Sequence, residues 1–373
     1  MDIEKEFRLI TGFEKIYPHQ SETIDLLSKG KSVVLRAPTG SGKSEAVIVP
    51  FLAKANINDT LPFHLIYSLP VRILVDDIRE RFRKYAKVKG LNVAGHHGKR
   101  IETPLFYPTI IVTTIDQTIG AYVCTPLSLP FRHGNIPAGA VSSSFLVFDE
   151  VHTFDPERAL QSALILAKHS EKLKFPFVFM SATIPDSFLT KLKEKFEIEI
   201  VEVDEKDIPV RKNRNISIYW KDEKLTPEEV IKQYKNSKGK IVVVCNTVNK
   251  AQEIYTNLEG KIECEIILLH SRFLEEDRKK KEDKLKEIFG QNSRKKGILI
   301  ATQVIEVGLD ISCDTMHTEL SPIDSLIQRT GRCARWGGNG SVYVYEVGHA
   351  KPYIEKLIDD TRKKVKEISG SRL

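Results

Sequence analysis

A run of small and polar residues, Ala37-Pro-Thr-Gly-Ser-Gly-Lys-Ser44, follows the apolar segment Lys31–Arg36 and precedes a helical pattern. Small residues let backbone N–H groups curl around phosphate oxygens, and a helix N-terminus adds positive potential. In such a loop Lys43 would reach the β and γ phosphates of a nucleotide, and Ser44 would bind Mg²⁺. The pattern therefore predicts a P-loop for ATP and Mg²⁺, with Ala37 in place of its first glycine. A chance turn opening a helix is the alternative, and Gly-Lys-Ser after an apolar strand argues against it. The other predicted phosphate contacts are Thr39, Gly40, Ser41 and Gly42.

About a hundred residues later, the apolar run Phe145–Phe148 ends in two acids, Asp149 and Glu150. Carboxylates at the end of a strand suit the second half of an ATPase site, in which Asp149 holds Mg²⁺ and Glu150 activates the attacking water. Asp-Glu after a strand is also a common way to begin a helix. The pairing with the P-loop favours the catalytic interpretation.

Short β-branched runs alternate with longer amphipathic segments, which predicts an α/β fold with parallel sheets covered on both faces. The pattern stops at a charged stretch with one proline and then restarts. We therefore predict two tandem domains, 1–203 and 217–373, joined by a linker at 204–216. The Pro- and Gly-rich segment Cys124–Ser143 is expected to be a loop. Predicted strands are Lys31–Arg36, Phe63–Ser68, Thr109–Thr113, Ser144–Asp149, Phe175–Met180, Lys240–Asn246, Cys264–Leu269, Gly297–Ala301, Asp314–Glu319 and Ser341–Val347.

The composition is that of a globular protein, with 41% hydrophobic and 29% charged residues in 373. The net charge of +7 modestly raises the chance of a polyanionic partner. Five scattered cysteines at no metal-ligand spacing indicate free thiols in a reducing cytoplasm. No apolar run approaches the roughly 18 residues of a membrane span, so no membrane partner is expected.

The letters Asp149–His152 form a DExH box, and with it the sequence resembles superfamily 2 helicases, which implies two RecA-like domains. Further motifs fall in the expected order: Tyr17–Gln20, Ser181–Thr183, Ala301–Asp310 and Gln328–Arg335. The resemblance implies that Gln20 reads adenine, that Gly308 and Asp310 contact the nucleotide, and that Ser181 and Thr183 link hydrolysis to strand movement. It also implies that Arg332 and Arg335 are arginine fingers. Three residues apart on a helix, they would point the same way, toward the γ-phosphate across a cleft.

Polar side chains after the strands of both domains suit sugar–phosphate contacts that do not read sequence. At each single Ser or Thr, helix capping is a nearly equal alternative; only the repetition in both domains favours a strand path. His152 and Gln328 are expected to help couple the nucleic-acid strand to the ATP site. The predicted contacts are Ser68, Arg72, Thr113, Gln117, Thr247, Ser271, Arg272 and Thr302.

Within the superfamily, the sequence is similar to the helicase part of the CRISPR-associated nuclease-helicase of type I interference. The phrases that carry this likeness are Phe148–His152, Leu269–Phe273, Thr302–Glu306 and Ser321–Arg329. The likeness implies 3′ to 5′ movement on single-stranded DNA, recruitment by an RNA-guided surveillance complex, and a role in antiviral defence.

Two departures from that family bear on the nuclease. None of the ten histidines is followed by Asp, as the family's HD nuclease motif requires, and little chain follows the arginine motif. We therefore expect a helicase without an accessory C-terminal domain, working beside an HD-type nuclease on another chain. Three alternatives stay open: a DExH RNA helicase, a general DNA-repair helicase, and an ATP-switched clamp that does not move.

Overall fold

Two β-sheets organise the chain, each in its own part of the sequence. The structure is a computed structural model that describes residues 2–38, 40–53, 61–203, 213–237 and 239–371. The chain divides into a first domain, Met1–Ile208, and a second domain, Pro209–Leu373. Each has its own sheet and its own apolar core on both faces of that sheet.

The first domain contains an eight-stranded sheet in the order β4-β3-β5-β2-β6-β7-β1-β8. Its pairs are parallel except for β3 with β4. The strands are β1 Ser32–Arg36, β2 His64–Leu69, β3 Val93–His97, β4 Arg100–Ile101, β5 Ile110–Thr114, β6 Ser144–Phe148, β7 Phe177–Ser181 and β8 Ile198–Glu202. The α-helices are Ile3–Thr11, Pro18–Ser28, Lys43–Ala53, Arg72–Lys87, Ile115–Tyr122, Asn135–Ser142, Ala159–Lys172 and Asp186–Lys195.

The second domain contains a six-stranded parallel sheet in the order β11-β12-β10-β13-β14-β9. The strands are β9 Arg214–Lys224, β10 Lys240–Val244, β11 Glu265–Leu269, β12 Gly297–Ala301, β13 Thr315–Glu319 and β14 Gly338–Glu346. The α-helices are Pro227–Ser237, Val248–Leu258, Glu275–Phe289, Ile323–Thr330 and Glu355–Ile368.

Central strands are apolar without interruption because alternate residues enter cores on opposite faces of the sheet. In β1, Val33 and Leu35 join one core while Val34 joins the other. With both faces covered, the polar residues that follow each strand gather at the carboxyl edge of the sheet. In parallel α/β sheets this edge is where ligands bind.

All ten predicted strands are present, within a few residues at each end. The missed strands include β8 and β9, which lie at sheet edges. An edge strand needs less apolar sequence, and β8 has only two buried residues, Ile198 and Val201. The prediction of a loop at Cys124–Ser143 was partly wrong, since Asn135–Ser142 is helical. The predicted linker extends too far, because Arg214–Ile216 already belongs to β9, whereas 204–212 lie outside the described residues.

Candidate nucleotide site and strand contacts

The phosphate loop connects β1 to the helix Lys43–Ala53. Gly40 and Gly42 have φ angles of 80° and 81°, in the left-handed region that favours glycine. A Cβ at Gly42 would also lie 2.2 Å from Nε2 of Gln20. The backbone angle of Gly42 therefore favours glycine, and a Cβ there would also displace the end of the Gln20 side chain. Thr39 lies outside the described residues.

Lys43 is buried at the first turn of this helix. Its Nζ donates a hydrogen bond to the carbonyl oxygen of Ala37 at 3.0 Å and lies 3.7 Å from Oε1 of Glu150. The lysine therefore folds back over its own loop, toward the acids that follow β6. A cation in this place can neutralise phosphate charge beside the carboxylates.

Ser44 and Asp149, the two predicted Mg²⁺ ligands, are joined through a residue that the sequence did not single out. Tyr67 in β2 donates a hydrogen bond to Oδ2 of Asp149 at 2.6 Å, and its hydroxyl lies 3.2 Å from Oγ of Ser44. Burial and the neighbouring Glu150 raise the pKa of Asp149 to about 6. Oxygen ligands from one hydroxyl and one carboxylate fit Mg²⁺, which keeps several waters and takes its remaining ligands from phosphates.

Glu150 has the left-handed backbone angle φ 53°, unusual for a residue with a side chain. Its amide N–H donates to Oδ1 of Asp149 at 2.8 Å. Its Oε2 lies 3.4 Å from Nδ1 of His152 but accepts no hydrogen bond from the described residues. A carboxylate oxygen without a donor is what a general base requires, because it can take a proton from water.

Ser181 joins the DExH box to the phosphate loop. Its Oγ lies 2.7 Å from Nδ1 of His152 and accepts a hydrogen bond from the amide of Thr183 at 3.1 Å. Its carbonyl oxygen accepts from the amide of Ala37 at 3.1 Å. Hydrogen bonds therefore connect the phosphate loop, the segment Ser181–Thr183 and the DExH box.

The side-chain amide of Gln20 is bonded at both ends. Nε2 donates to the carbonyl oxygen of Gly42 at 3.0 Å, and Oε1 accepts from the amide of Tyr17 at 2.9 Å. His19 lies beside it, with Nε2 2.9 Å from the carbonyl oxygen of Ser41. Gln20 thus caps its own helix and buttresses the phosphate loop. Its expected reading of adenine stays a prediction.

Several expected strand contacts in the first domain do not reach the surface. Ser68 and Thr113 are fully buried, with hydroxyls bonded to Thr118 at 2.8 Å and to the carbonyl oxygen of His96 at 2.7 Å. Gln117 is buried as well, whereas Arg72 is exposed. The hydroxyls of Ser68 and Thr113 therefore support the sheet edge in this structure, and direct strand contact by Ser68, Thr113 and Gln117 stays a prediction.

The second domain shows the same division. Ser271 and Arg272 are exposed, whereas Thr302 and Gln328 are buried. Thr247 accepts a hydrogen bond from the amide of Lys250 at 3.3 Å and caps the helix Val248–Leu258. For Thr247 the capping alternative thus describes the observed bond.

The arginine segment differs from its prediction. The helix Ile323–Thr330 ends before Arg332, so Arg332 and Arg335 do not share a helical face. Arg332 is buried and donates from Nε and Nη2 to the carbonyl oxygens of Ile305 and Glu306, at 3.1 and 2.8 Å. Arg335 pairs with Asp310 at 2.8 Å. The helical argument for their common direction is therefore wrong, and both arginines are bonded to the segment around Gly308 instead.

Arg329, which the sequence reasoning passed over, is the most buried charge in this region. Nε pairs with Glu306 at 2.8 Å, Nη1 donates to Thr318 at 2.9 Å, and Nη2 donates to Asn246 at 3.0 Å and to Tyr353 at 2.8 Å. Groups from β13, from the residue Asn246 after β10, from the motif Ala301–Asp310 and from Tyr353 therefore converge on one guanidinium group. Its position in Gln-Arg-Thr-Gly-Arg was visible in the sequence, but its partners were not.

Family models match most of the first domain and part of the second. Residues 17–192 match the model of DEAD/DEAH box helicases, and residues 237–337 match the C-terminal model of CRISPR-associated nuclease/helicase Cas3. The chain is 29% identical over 385 residues to the CRISPR-associated helicase Cas3 of Thermoproteus tenax, covering 96% of this chain and 63% of that protein. It is 27% identical over 398 residues to the CRISPR-associated nuclease/helicase Cas3 of Methanothermobacter thermautotrophicus, covering 95% and 46%.

Among solved structures, the crystal structure of T. fusca Cas3-ATP superposes with a TM-score of 0.77 at 19% identity, covering all of this chain and 52% of that one. This likeness establishes the fold. The chain spans about half to three fifths of the length of these relatives.

Fold, motif order and relatives point to one class: the chain has two RecA-like domains and resembles ATP-dependent helicases with a DExH box. Within that class it resembles the helicase part of the CRISPR-associated nuclease/helicase Cas3. Among the described residues, none of the helices has the length and apolar character to cross a membrane.

Proposed function

We propose that this chain hydrolyses ATP with Mg²⁺ to move from 3′ to 5′ along single-stranded DNA and to separate duplexes on its way. The observation that carries the ATP part is the placement of Lys43, Ser44, Asp149 and Glu150 around one sheet edge. A cation, a hydroxyl and two carboxylates are the groups that phosphoryl transfer to water requires.

In the proposed reaction, backbone N–H groups of the phosphate loop and Lys43 bind the phosphates. Ser44 and Asp149 would hold Mg²⁺, which neutralises phosphate charge when bound. Glu150 takes the proton of the attacking water at Oε2, the oxygen without a donor among the described residues.

The second domain would contribute Arg332 and Arg335, which stabilise charge on the transferred phosphoryl group. Because each is bonded to the segment that contains Gly308 and Asp310, a shift of that segment would move both arginines. This supports a role in coupling hydrolysis to strand movement, with Ser181 and Thr183 as the corresponding link in the first domain.

Single-stranded DNA is the proposed track, contacted by exposed groups that include Arg72, Ser271 and Arg272. The motor motifs alone suit DNA or RNA. The choice of DNA is supported by the phrases that this sequence shares with the CRISPR-associated helicases.

We further propose a role in type I CRISPR interference, an antiviral defence, in which an RNA-guided surveillance complex recruits this motor. The proposed partner is an HD-type nuclease on another chain. In support, the relative from Methanothermobacter thermautotrophicus is named a nuclease/helicase, and no histidine in the given sequence is followed by Asp.

The direct test is the rate of ATP hydrolysis by the purified chain with single-stranded DNA, with single-stranded RNA, and with no polymer. We expect stimulation by DNA and unwinding of duplexes with a 3′ overhang. Binding should weaken steeply with salt because phosphates supply most contacts. Stimulation by RNA alone would make this an RNA helicase, and stimulation without unwinding or movement would make it a clamp.

The absence of nuclease activity is tested in the same preparations. The chain should leave single-stranded DNA intact with Mg²⁺, Mn²⁺, Ni²⁺ or Co²⁺. Cleavage that persists in Lys43→Ala would overturn the separate nuclease, since that variant removes ATP turnover and leaves any other metal site untouched.

A further inference from the structure

Tyr67 has a hydroxyl group in an otherwise apolar, fully buried position at the centre of the first sheet. The Tyr67 ring packs edge-on against Phe82, with the two ring centroids 5.2 Å apart. Its hydroxyl lies between Oγ of Ser44, at 3.2 Å, and Oδ2 of Asp149, at 2.6 Å. Strand β2 neighbours β6, and Tyr67 is in register with Val147, two residues before Asp149. The phenol therefore touches both groups that the proposed function assigns to Mg²⁺.

The directions of these two hydrogen bonds follow from counting protons. A phenol has one proton, and here the carboxylate of Asp149 accepts it. The Ser44 hydroxyl must then donate to the phenol oxygen, because no second phenol proton exists.

This arrangement settles the orientation of the Ser44 hydroxyl. Its proton points to Tyr67, so the lone pairs of Oγ are directed elsewhere and stay open to a cation. At the same time Oδ2 of Asp149 is held by Tyr67 and Oδ1 by the amide of Glu150 at 2.8 Å, which fixes the plane of the carboxylate. Outer groups that orient metal ligands in this way contribute to metal affinity.

We infer that Tyr67 is a positioning residue for Mg²⁺, which sets the hydroxyl of Ser44 and the carboxylate of Asp149 in their metal-binding orientation through one shared phenol. The inference rests on the proposed Mg²⁺ site. It assigns Tyr67 no contact with the nucleotide or with the metal. Its role is therefore separable from that of Lys43, which holds phosphate directly.

A purely structural tyrosine would behave differently, and the second domain provides one for comparison. Tyr345 is equally buried, and its hydroxyl lies 2.8 Å from Nδ1 of His317. Tyr345→Phe removes a buried phenol hydroxyl with one polar partner, as Tyr67→Phe does with two, but far in sequence from any proposed metal ligand. It is the matched control for loss of stability alone.

The test is the affinity of the purified full chain for a fluorescent ADP analogue, titrated with Mg²⁺ from an EDTA-buffered start. We expect Tyr67→Phe to bind the analogue without metal within twofold of wild type. Its half-saturating Mg²⁺ concentration should rise roughly tenfold or more, the usual effect of removing a group that orients metal ligands. Tyr345→Phe should leave both values unchanged.

The outcomes are separable. If wild-type binding does not respond to Mg²⁺, the proposed metal site fails. If wild type responds and Tyr67→Phe shows the same half-saturation within twofold, the role of Tyr67 is overturned while the metal site stands. Tyr67→Phe could instead melt well below Tyr345→Phe. In that case Tyr67→Met, which also lacks a hydroxyl donor, is titrated with Mg²⁺ under conditions where it is folded. A half-saturating Mg²⁺ concentration equal to that of wild type would likewise overturn the inference.

Discussion

In the first domain, Lys43 bonds a single backbone carbonyl and Glu150 keeps one oxygen without a donor among the described residues. In the second domain, Arg329 uses all three guanidinium nitrogens on partners of its own domain, and Arg332 and Arg335 are bonded to the segment around Gly308. Lys43 and one oxygen of Glu150 in the first domain therefore keep bonding capacity for a ligand. The three arginines of the second domain are bonded to protein groups, so their chemistry depends on how the segment around Gly308 is placed.

The largest loss of activity should come from changing the predicted ATP-site residues of the first domain. Lys43→Ala should lower ATP hydrolysis at least about a thousandfold, because no other described cation adjoins the two acids and phosphate charge would go unneutralised. Steady-state hydrolysis with single-stranded DNA measures it. Lys31→Ala, which removes an exposed lysine paired with Glu197 at 3.0 Å, is the control and should keep full activity.

The second prediction concerns Arg335. If it acts as a finger, Arg335→Ala should bind ATP normally but turn it over about a thousandfold more slowly. Binding of a fluorescent ATP analogue and hydrolysis are measured on the same sample. Arg362→Ala removes an arginine paired with Glu346 at 2.8 Å in the same domain and should hydrolyse normally. Normal turnover in Arg335→Ala would contradict the finger role, and the ion pair with Asp310 would then be the remaining function of Arg335.

The third prediction separates structure from catalysis within the arginine segment. Arg329→Met leaves the mostly enclosed carboxylate of Glu306 without its partner, which should cost about 3–5 kcal/mol of unfolding free energy. Both tryptophans, Trp220 and Trp336, lie in the second domain, so urea unfolding followed by their fluorescence reports on that domain. Adding Glu306→Gln should recover part of the loss, because the uncompensated charge is then gone. A loss below 1 kcal/mol would show that the network is not structural.

The smallest effect is a pH dependence confined to the second domain. Burial, with a smaller contribution from Lys221, lowers the pKa of His317 from 6.5 to about 3. Between these values the unfolded chain binds more protons, so stability falls as pH falls below 6.5, by up to about 1.4 kcal/mol per pH unit. Tryptophan-monitored urea unfolding at pH 7 and pH 5 should show this in wild type. In His317→Gln the unfolding free energy should depend less on pH, by an amount that corresponds to about one bound proton. An equal pH dependence in wild type and variant would assign the effect to other groups.

The positions of the ATP-site residues in the first domain could be predicted from the sequence better than those of the arginines in the second domain, for physical reasons. Lys43, Ser44, Asp149 and Glu150 follow apolar strands directly, and parallel strands bring such residues to one edge whatever the loops do. The role of Tyr67 depends on which strand neighbours β6, and this is a matter of sheet order. Gly331 follows the last helical residue, so Arg332 lies beyond the helix that its spacing suggested.

The same limit explains the strand contacts. A hydroxyl at a strand end, as in Ser68 or Thr113, has the same sequence signature whether it faces a polymer or bonds to a neighbouring strand. Exposure decides between them, and exposure depends on tertiary packing. Arg72 and Arg272, which are long and charged, were safer predictions because burial of an unpaired guanidinium is costly.

The most direct test of the account is Glu150→Gln, which keeps the shape of the side chain and removes its ability to accept a proton. We predict that this variant binds ATP and single-stranded DNA as wild type does. Its single-turnover hydrolysis rate should fall by about 10²–10⁴-fold, the contribution of a general base. Glu197→Gln, at an exposed glutamate, is the control and should hydrolyse normally. Hydrolysis by Glu150→Gln near the wild-type rate would contradict the assignment of the open carboxylate as the base, and with it the account of the first domain as the catalytic one.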